Sequence, residues 1–347
     1  MSRTLPALDE RSLLQALTHP AGAFRRVDVV AQLGSSNADL AAGAAARPAQ
    51  WPDLSVLIAD SQIAGKGRLD RVWEVPAGSA MISSVLFRPG DPDAHAGAPA
   101  FDPAGYGWLS ILAGVALCEA VRSVAGVPAV LKWPNDVVAN GRKLAGILAQ
   151  LVPAPATRHP ADGSLPAPGS PASQPGTRRS AEGSAGPGPA VVVGAGLNVG
   201  QGREQLPVDR ATSLALELDG GQDGGAGLDA AAGGAGAAAL DRNVLLPAYL
   251  NRFARLYEGF VSVGGDALRP LPEGASVHDL ASRLMSTLGT EVRAELPGGQ
   301  MLHGTAVRLR SGGELELRDG DGALHVVSAG DVVHLRRTLD GGGVGYV

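Results

Sequence analysis

The sequence predicts an α+β protein in which strands and helices build a main domain and a small all-β module follows it. Three observations carry that reading. Short apolar runs bounded by Gly, Pro or Asn recur between residues 55 and 199, as strands of a largely buried sheet do. Long segments with helical spacing lie among and after them. Beyond Pro272 the pattern changes to brief strands separated by glycine turns.

The expected strands are SVLIAD (55–60), SAMISSVLF (79–87), AVLKW (129–133), DVVAN (136–140), KLAGILAQLV (143–152) and VVVGAGLNV (191–199). A helix starts after Asp241, a natural N-cap, because Leu245, Leu246, Tyr249, Phe253, Leu256 and Tyr257 recur at i, i+3, i+4 spacing. GWLSILAGVALCEAVRSVAG is a second helix, apolar on nearly all sides and therefore suited to burial against a sheet. SSNADLAAGAAA is a third, with Ser35 or Ser36 placed to cap it. Residues 1–26 are expected to be an N-terminal helical segment, 27–270 the main domain and 271–340 the C-terminal module. The segments at about 90–105, 153–190 and 219–240 are rich in Pro, Gly, Ala and Ser. They offer too little apolar surface to offset ordering entropy, so they are expected to be disordered insertions. In the last module EVRAEL, MLHGTAVRLR, ELELRD, ALHVVS and DVVHLR alternate with tight turns, the rhythm of a small barrel or sandwich.

Composition narrows the function classes. With 34 acidic against 29 basic residues the net charge is -5, which lacks the electrostatic footprint of a nucleic-acid binder. Cys118 is the one cysteine and sits in an apolar run, where it reads as a buried side chain rather than a reactive thiol. No long apolar N-terminal region and no membrane span are expected, so the chain is read as cytoplasmic.

Three motifs could carry chemistry. In SQIAGKGRLDRVW (61–73) the glycines let backbone approach a ligand, while Lys66, Arg68 and Arg71 supply donors and charge suited to carboxylate or phosphate. The loop is neither a P-loop nor a dinucleotide fingerprint; an exposed, solvated basic turn is the competing reading. LKWPNDVVANGRKLAGILAQ (131–150) gathers Lys132, Asn135, Asp136 and Lys143 around two strands joined by the turn signal Asn140-Gly141. A lysine facing the core end of such a strand must pair with an anion or shift its pKa, although Asp136 could simply cap the turn. In VVVGAGLNVG (191–200) Gly194 and Gly196 mark a bulge or a close approach, and Asn198 follows with donor and acceptor.

Taken together, SSN (35–37), GKGRLDRVW (65–73), KWPND (132–136), KLAGIL (143–148) and GAGLN (194–198) resemble the motif set of the biotin protein ligases. The resemblance spans roughly Val27 to Arg337 with the insertions excluded, and includes the final SAGDVVHLR. It implies a biotin/lipoate protein ligase-like catalytic domain, a mixed sheet with helices, and a C-terminal SH3-like barrel. The implied activity is the use of ATP and Mg²⁺ to turn biotin into biotinyl-AMP, followed by transfer to a lysine of a biotin carboxyl carrier protein domain of acyl-CoA carboxylases. It assigns the ureido end of biotin to Ser35, Ser36, Asn37 and Gln62. It assigns the carboxylate and phosphate to Lys66, Gly67, Arg68 and Lys143, with Arg68 and Lys143 as the catalytic cations. Arg71 and Trp73 flank the adenylate, and Asp136 and Asn198 lie toward the nucleotide and its magnesium. No dedicated protein metal site is implied.

Three positions depart from the family pattern. Ser36 stands where threonine is usual, Lys66 where arginine is usual and Asp70 where glycine is common. At 66 a point charge replaces a bidentate fork. The lipoate or octanoate protein ligases share the implied fold, but GKGRLDRVW and KWPND favour biotin. A non-catalytic biotin-binding module and a DNA-binding repressor are further alternatives. The repressor finds only about 34 residues before SSN and no basic recognition helix there. No membrane or nucleic-acid partner is expected, and the chain would act as a monomer or a homodimer.

Overall fold

The computed structural model describes residues 4–154, 188–220, 238–329, 334–338 and 344–345. The main domain is a seven-stranded mixed sheet. Its strands are β1 (Arg26–Leu33), β2 (Ser55–Gln62), β3 (Ala80–Phe87), β4 (Val130–Lys132), β5 (Asp136–Ala139), β6 (Arg142–Val152) and β7 (Ala190–Asn198). They lie in the order β1-β2-β3-β7-β6-β5-β4. Only β1 and β2 run parallel; every other neighbour is antiparallel. Each of the six expected strands is present, with ends shifted by at most two residues.

Period-two alternation sorts the side chains onto two faces. Val56, Ile58, Val85, Phe87, Val191 and Val193 join one core cluster with the helices α3 (Trp108–Ala125) and α5 (Arg242–Ser262). Leu57, Leu86 and Val192 turn the other way and pack with Leu40, Ala41 and Ala44 of α2 (Ser36–Ala46). Asp241 caps α5 as expected, accepting from the Asn243 N–H, and all six of the periodic apolar residues are buried. Gly126, at φ 67, closes α3 in the left-handed conformation that glycine tolerates best. The stretch Pro103–Ala125 is long and apolar enough to cross a membrane, yet 67% of its most apolar window is buried inside the protein, so it serves as a core helix. Cys118 is fully buried on it, and burial pushes its thiol up to about 12.

Several expectations need correcting. Residues 90–105 are ordered, with successive turns leading into a 3-10 helix at Pro103–Gly107. Phe101 explains this: it is buried, stacks on Tyr106 and meets the Phe260 ring edge-on. One well-placed aromatic supplies the burial that the composition of the segment lacks. Strand β1 has no clear apolar alternation because it is an edge strand of intermediate burial. The N-terminal segment contributes α1 (Glu10–Leu17), anchored by the fully buried Leu13 and Leu17. Ser35 does occupy the N-cap of α2, but its side chain makes no capping bond. The insertions at 153–190 and 219–240 fall mostly outside the described residues. A short helix α4 (Leu214–Gly220) leads into the second.

The C-terminal module opens with a helix, α6 (Val277–Leu284), that its strand-like rhythm conceals. Ser276 caps it by accepting from the Asp279 N–H. Then β8 (Glu291–Glu295), β9 (Met301–Leu309), β10 (Leu315–Arg318), β11 (Leu324–Val327), β12 (His334–Thr338) and β13 (Val344–Gly345) form an antiparallel sheet in the order β11-β10-β9-β8-β12-β13. Of the expected DVVHLR strand, residues 331–333 lie outside the described residues.

Candidate active site

A cavity of about 480 Å³ opens on the α2 face of the sheet. Its floor is a consequence of register. Ile82 pairs with Gly196, Gly196 with Gly146, and Gly146 with Asp136, so four strands deliver one row. Two adjacent glycines in that row leave a trough. A Cβ at Gly196 would stand 2.8 Å from the Trp73 ring, and one at Gly194 would stand 2.1 Å from Asn37 Oδ1. The glycines therefore mark close approach of site side chains, with no bulge in β7.

At one end of the trough β1 and β2, the parallel pair, finish side by side, and the chain turns from β1 into the N-terminus of α2. Ser36 donates from its N–H (2.7 Å) and its hydroxyl (2.9 Å) to Gln62 Oε1, and Asn37 Nδ2 donates to the Leu148 carbonyl at 2.9 Å. The Ser84 hydroxyl bridges this cluster, 2.6 Å from Asn37 Oδ1 and 2.8 Å from Ser36 Oγ. Ser35, Ser36, Asn37 and Gln62 are all buried. This end is a preformed set of neutral donors and acceptors.

The opposite end is cationic. Lys66, Arg68, Arg71, Lys132, Lys143 and Arg210 all line the cavity, and Asp136 is the one carboxylate among its described lining residues. Lys143 Nζ lies 2.5 Å from Asp136 Oδ1. Strand parity would send Lys143 to the core face with Ala145 and Ile147. A register shift prevents this, because Val137 pairs with Ala145 while Val138 pairs with Lys143. Leu144 is the extra residue, and it joins Ala145 in the core. The bulge thus re-aims the lysine into the trough, a common use of bulges beside functional sites. Gly146 leaves room for it, since a Cβ there would stand 3.4 Å from Lys143 Nζ. The Asn140-Gly141 turn that precedes it has both residues at positive φ, 46 and 71, as the two-residue hairpin demands.

The basic loop folds back over the trough as a hairpin. Gly67 N–H donates to Arg71 O (2.7 Å) and Trp73 N–H to Gly65 O (2.9 Å). Arg68 reaches inward to Asn135 Oδ1 at 3.4 Å and across to the Ala329 carbonyl of the C-terminal module at 2.5 Å. Burial holds its pKa below the ordinary value, with Asp136 opposing and Arg71 reinforcing the shift. Leu69 and Val72, by contrast, are exposed on the loop. All twelve site residues expected from the sequence line this one cavity.

Residues 41–159 match the Biotin/lipoate A/B protein ligase family. The biotin--[acetyl-CoA-carboxylase] ligase of Mycobacterium tuberculosis is 37% identical over 96% of this chain and 98% of its own length. The chain belongs to the biotin protein ligase family. A bifunctional ligase/repressor BirA of Bacillus spizizenii is 25% identical over 80% of this chain and 66% of its own length. Among solved structures, an Aquifex aeolicus biotin protein ligase in complex with biotin and ATP shares the fold, with a TM-score of 0.56 and 21% identity over 90% of this chain and all of that one.

Four contributors to this ligase-family site carry no local sequence signal. Ser84 hides in an apolar strand. Arg210, in the 199–213 segment, and Leu335, on β12, reach the cavity only through tertiary packing. The fourth is the C-terminal module's grip on the KWPND turn, whose Trp133–Pro134 peptide is cis. Trp133 donates its backbone N–H to Thr287 Oγ1 (3.0 Å) and its indole N–H to the Gly313 carbonyl (3.1 Å). Trp108 donates to Ser311 O in the same module turn at 2.6 Å. The C-terminal module thus holds both the turn and the loop.

Proposed function

We propose that the protein is an ATP-dependent biotin protein ligase that activates biotin as biotinyl-AMP and transfers it to a lysine of a carboxylase carrier domain. The observation that carries this reading is the division of one trough into a buried neutral hydrogen-bonding end and a cationic end. A ring bearing N–H and C=O groups suits Ser36, Asn37 and Gln62. A dithiolane offers neither, and would leave buried polar groups unmatched, which argues against lipoate.

In the first step a biotin carboxylate oxygen attacks the α-phosphorus of ATP. The bond to pyrophosphate breaks, and a mixed anhydride with AMP forms. Two anions must meet for this, so Arg68, Lys143 and Lys66 offset their repulsion and stabilise the charge that develops. Lys143, already paired with Asp136, is held over the trough before substrate arrives. In the second step a neutral carrier amine attacks the acyl carbon and AMP leaves. The loop from Gly65 to Trp73, resting on the trough, would keep water from the anhydride.

Magnesium fits as an ion that arrives on the nucleotide. No group of three or more His, Cys, Asp or Glu side chains placed to hold a metal ion exists among the described residues. Asp136 and Asn198 are the side chains that would meet a phosphate-bound ion, in keeping with the habit of Mg²⁺ to use one or two carboxylates plus phosphates. It would neutralise phosphate charge.

The test is exchange between labelled pyrophosphate and ATP, with biotin or lipoate added, followed by intact mass of a carrier domain after incubation. Exchange stimulated by biotin and a carrier gaining one biotinyl group are expected; stimulation by lipoate alone would overturn the reading.

A further inference from the structure

We infer that Glu217, which lines no part of the cavity, is a positioning residue for the cationic end of the site. The inference rests on the ligase reading. Glu217 is buried on α4, and its carboxylate gathers three donors from two distant parts of the chain, the 140–142 turn and Thr212. Asn140 Nδ2 donates to Oε2 at 2.6 Å, Arg142 Nη2 to Oε1 at 3.1 Å, and Thr212 Oγ1 to Oε1 at 2.5 Å. Asn140 and Arg142 flank the turn that delivers Lys143. Thr212 is the second link. Its N–H donates to the Lys143 carbonyl at 2.7 Å, and its own carbonyl accepts from Asn198 Nδ2 at 2.9 Å. Lys143 N–H in turn donates to Arg210 O at 2.8 Å, so the 210–212 segment runs alongside Lys143 through an isolated parallel bridge.

One carboxylate therefore braces the backbone of Lys143, the amide of Asn198 and the segment bearing Arg210. The 210–212 segment belongs to no regular strand; Arg203 Nη1 donates to its Ala211 carbonyl at 2.9 Å, and Glu217 adds the tie between Thr212 and the 140–142 turn. Burial makes the arrangement demanding on the carboxylate, which needs its donors; Thr212 is buried with it, while Asn140 and Arg142 also meet solvent. Glu217 touches nothing at the Ser36, Asn37 and Gln62 end. Its influence is expected on the nucleotide step and not on capture of the biotin ring.

The experiment uses the full chain. Glu217→Ala is expected to lower kcat/KM for ATP in biotin-dependent pyrophosphate exchange by on the order of 10- to 100-fold, the scale of an ångström-level misplacement. Biotin affinity by calorimetry should stay within about threefold. Glu217→Gln, whose amide oxygen still accepts from Thr212, should recover a large part of the loss. Should Glu217→Ala fail to fold, Thr212→Val and Thr212→Ser make the same comparison, with serine rescuing. A folded variant with unchanged kcat/KM, or equal losses in ATP use and biotin affinity, would overturn the inference. Absence of biotin-dependent exchange in the wild type would instead overturn the ligase reading.

Discussion

The two ends of the trough are built differently. The neutral end stands on β1, β2, β3 and α2, and Ser36, Asn37, Gln62 and Ser84 are buried there and bonded to one another or to backbone. The cationic end depends on a loop hairpin, a bulge and contacts borrowed from the C-terminal module. One end is made by regular structure, with its side chains already bonded to one another; the other is assembled from irregular pieces. Recognition of a ring needs fixed partners, whereas two charged substrates need a surface that can close over them once they are in.

The largest effect should come from removing the loop's inward cation. Arg68→Ala is expected to slow adenylate formation by roughly 10²- to 10³-fold, the scale of one preorganised charge-stabilising group, with biotin affinity falling far less. Comparable losses in both would erase the distinction between the ends. Next comes Gly194→Ala, whose new Cβ must displace Asn37 from 2.1 Å. Calorimetry should record biotin affinity lower by about 100-fold. On the loop, trypsin should cut after Lys66, Arg68 or Arg71 in the free protein and be slowed by biotin with ATP; equal rates would show that the loop does not close. Gly67→Ala should leave folding stability within about 0.5 kcal/mol, since its Cβ would meet Arg71 O at an ordinary 3.5 Å and its φ of -105 suits any residue; slower exchange at unchanged stability would report a close approach of ligand to this backbone.

The smallest effect concerns the module that steadies the loop end. Hydrogen bonds from Arg310 first, and from Arg308 as well, hold the Glu316 carboxyl below the ordinary carboxylate range. A depressed folded-state pKa means that the pair stabilises above the ordinary carboxylate range, with the contribution lost as pH falls through the depressed value. Thermal melts should show Glu316→Gln flattening the acid side of the profile; an unchanged profile would remove this pair from the account.

Much of this was legible along the chain. Six of the seven main-domain strands announce themselves as apolar runs between Gly, Pro and Asn, and α5 as an apolar stripe behind a capping aspartate. Strand β1 and helix α6 were harder, one because edge strands bury little, the other because it is only two turns long inside strand-like surroundings. Residues 90–105 misled because composition counts apolar residues without weighing where a single Phe101 can pack. The motif residues were all visible, since each motif is local. Ser84, Thr287 and Glu217 were not, because each acts through partners distant in sequence.

What the sequence by itself determined is most of the inventory: six of the main-domain strands, the three longest helices, which residues are cations, and where glycines thin the strands and loop. These follow from neighbours within a few residues, where backbone sterics and periodicity operate. Only the tertiary structure decided that Gly146 and Gly196 would lie side by side to open a trough. It also decided that a bulge at Leu144 would turn Lys143 out of the core. Register between strands is set by pairing energy summed over whole elements, and no local stretch of chain contains that sum.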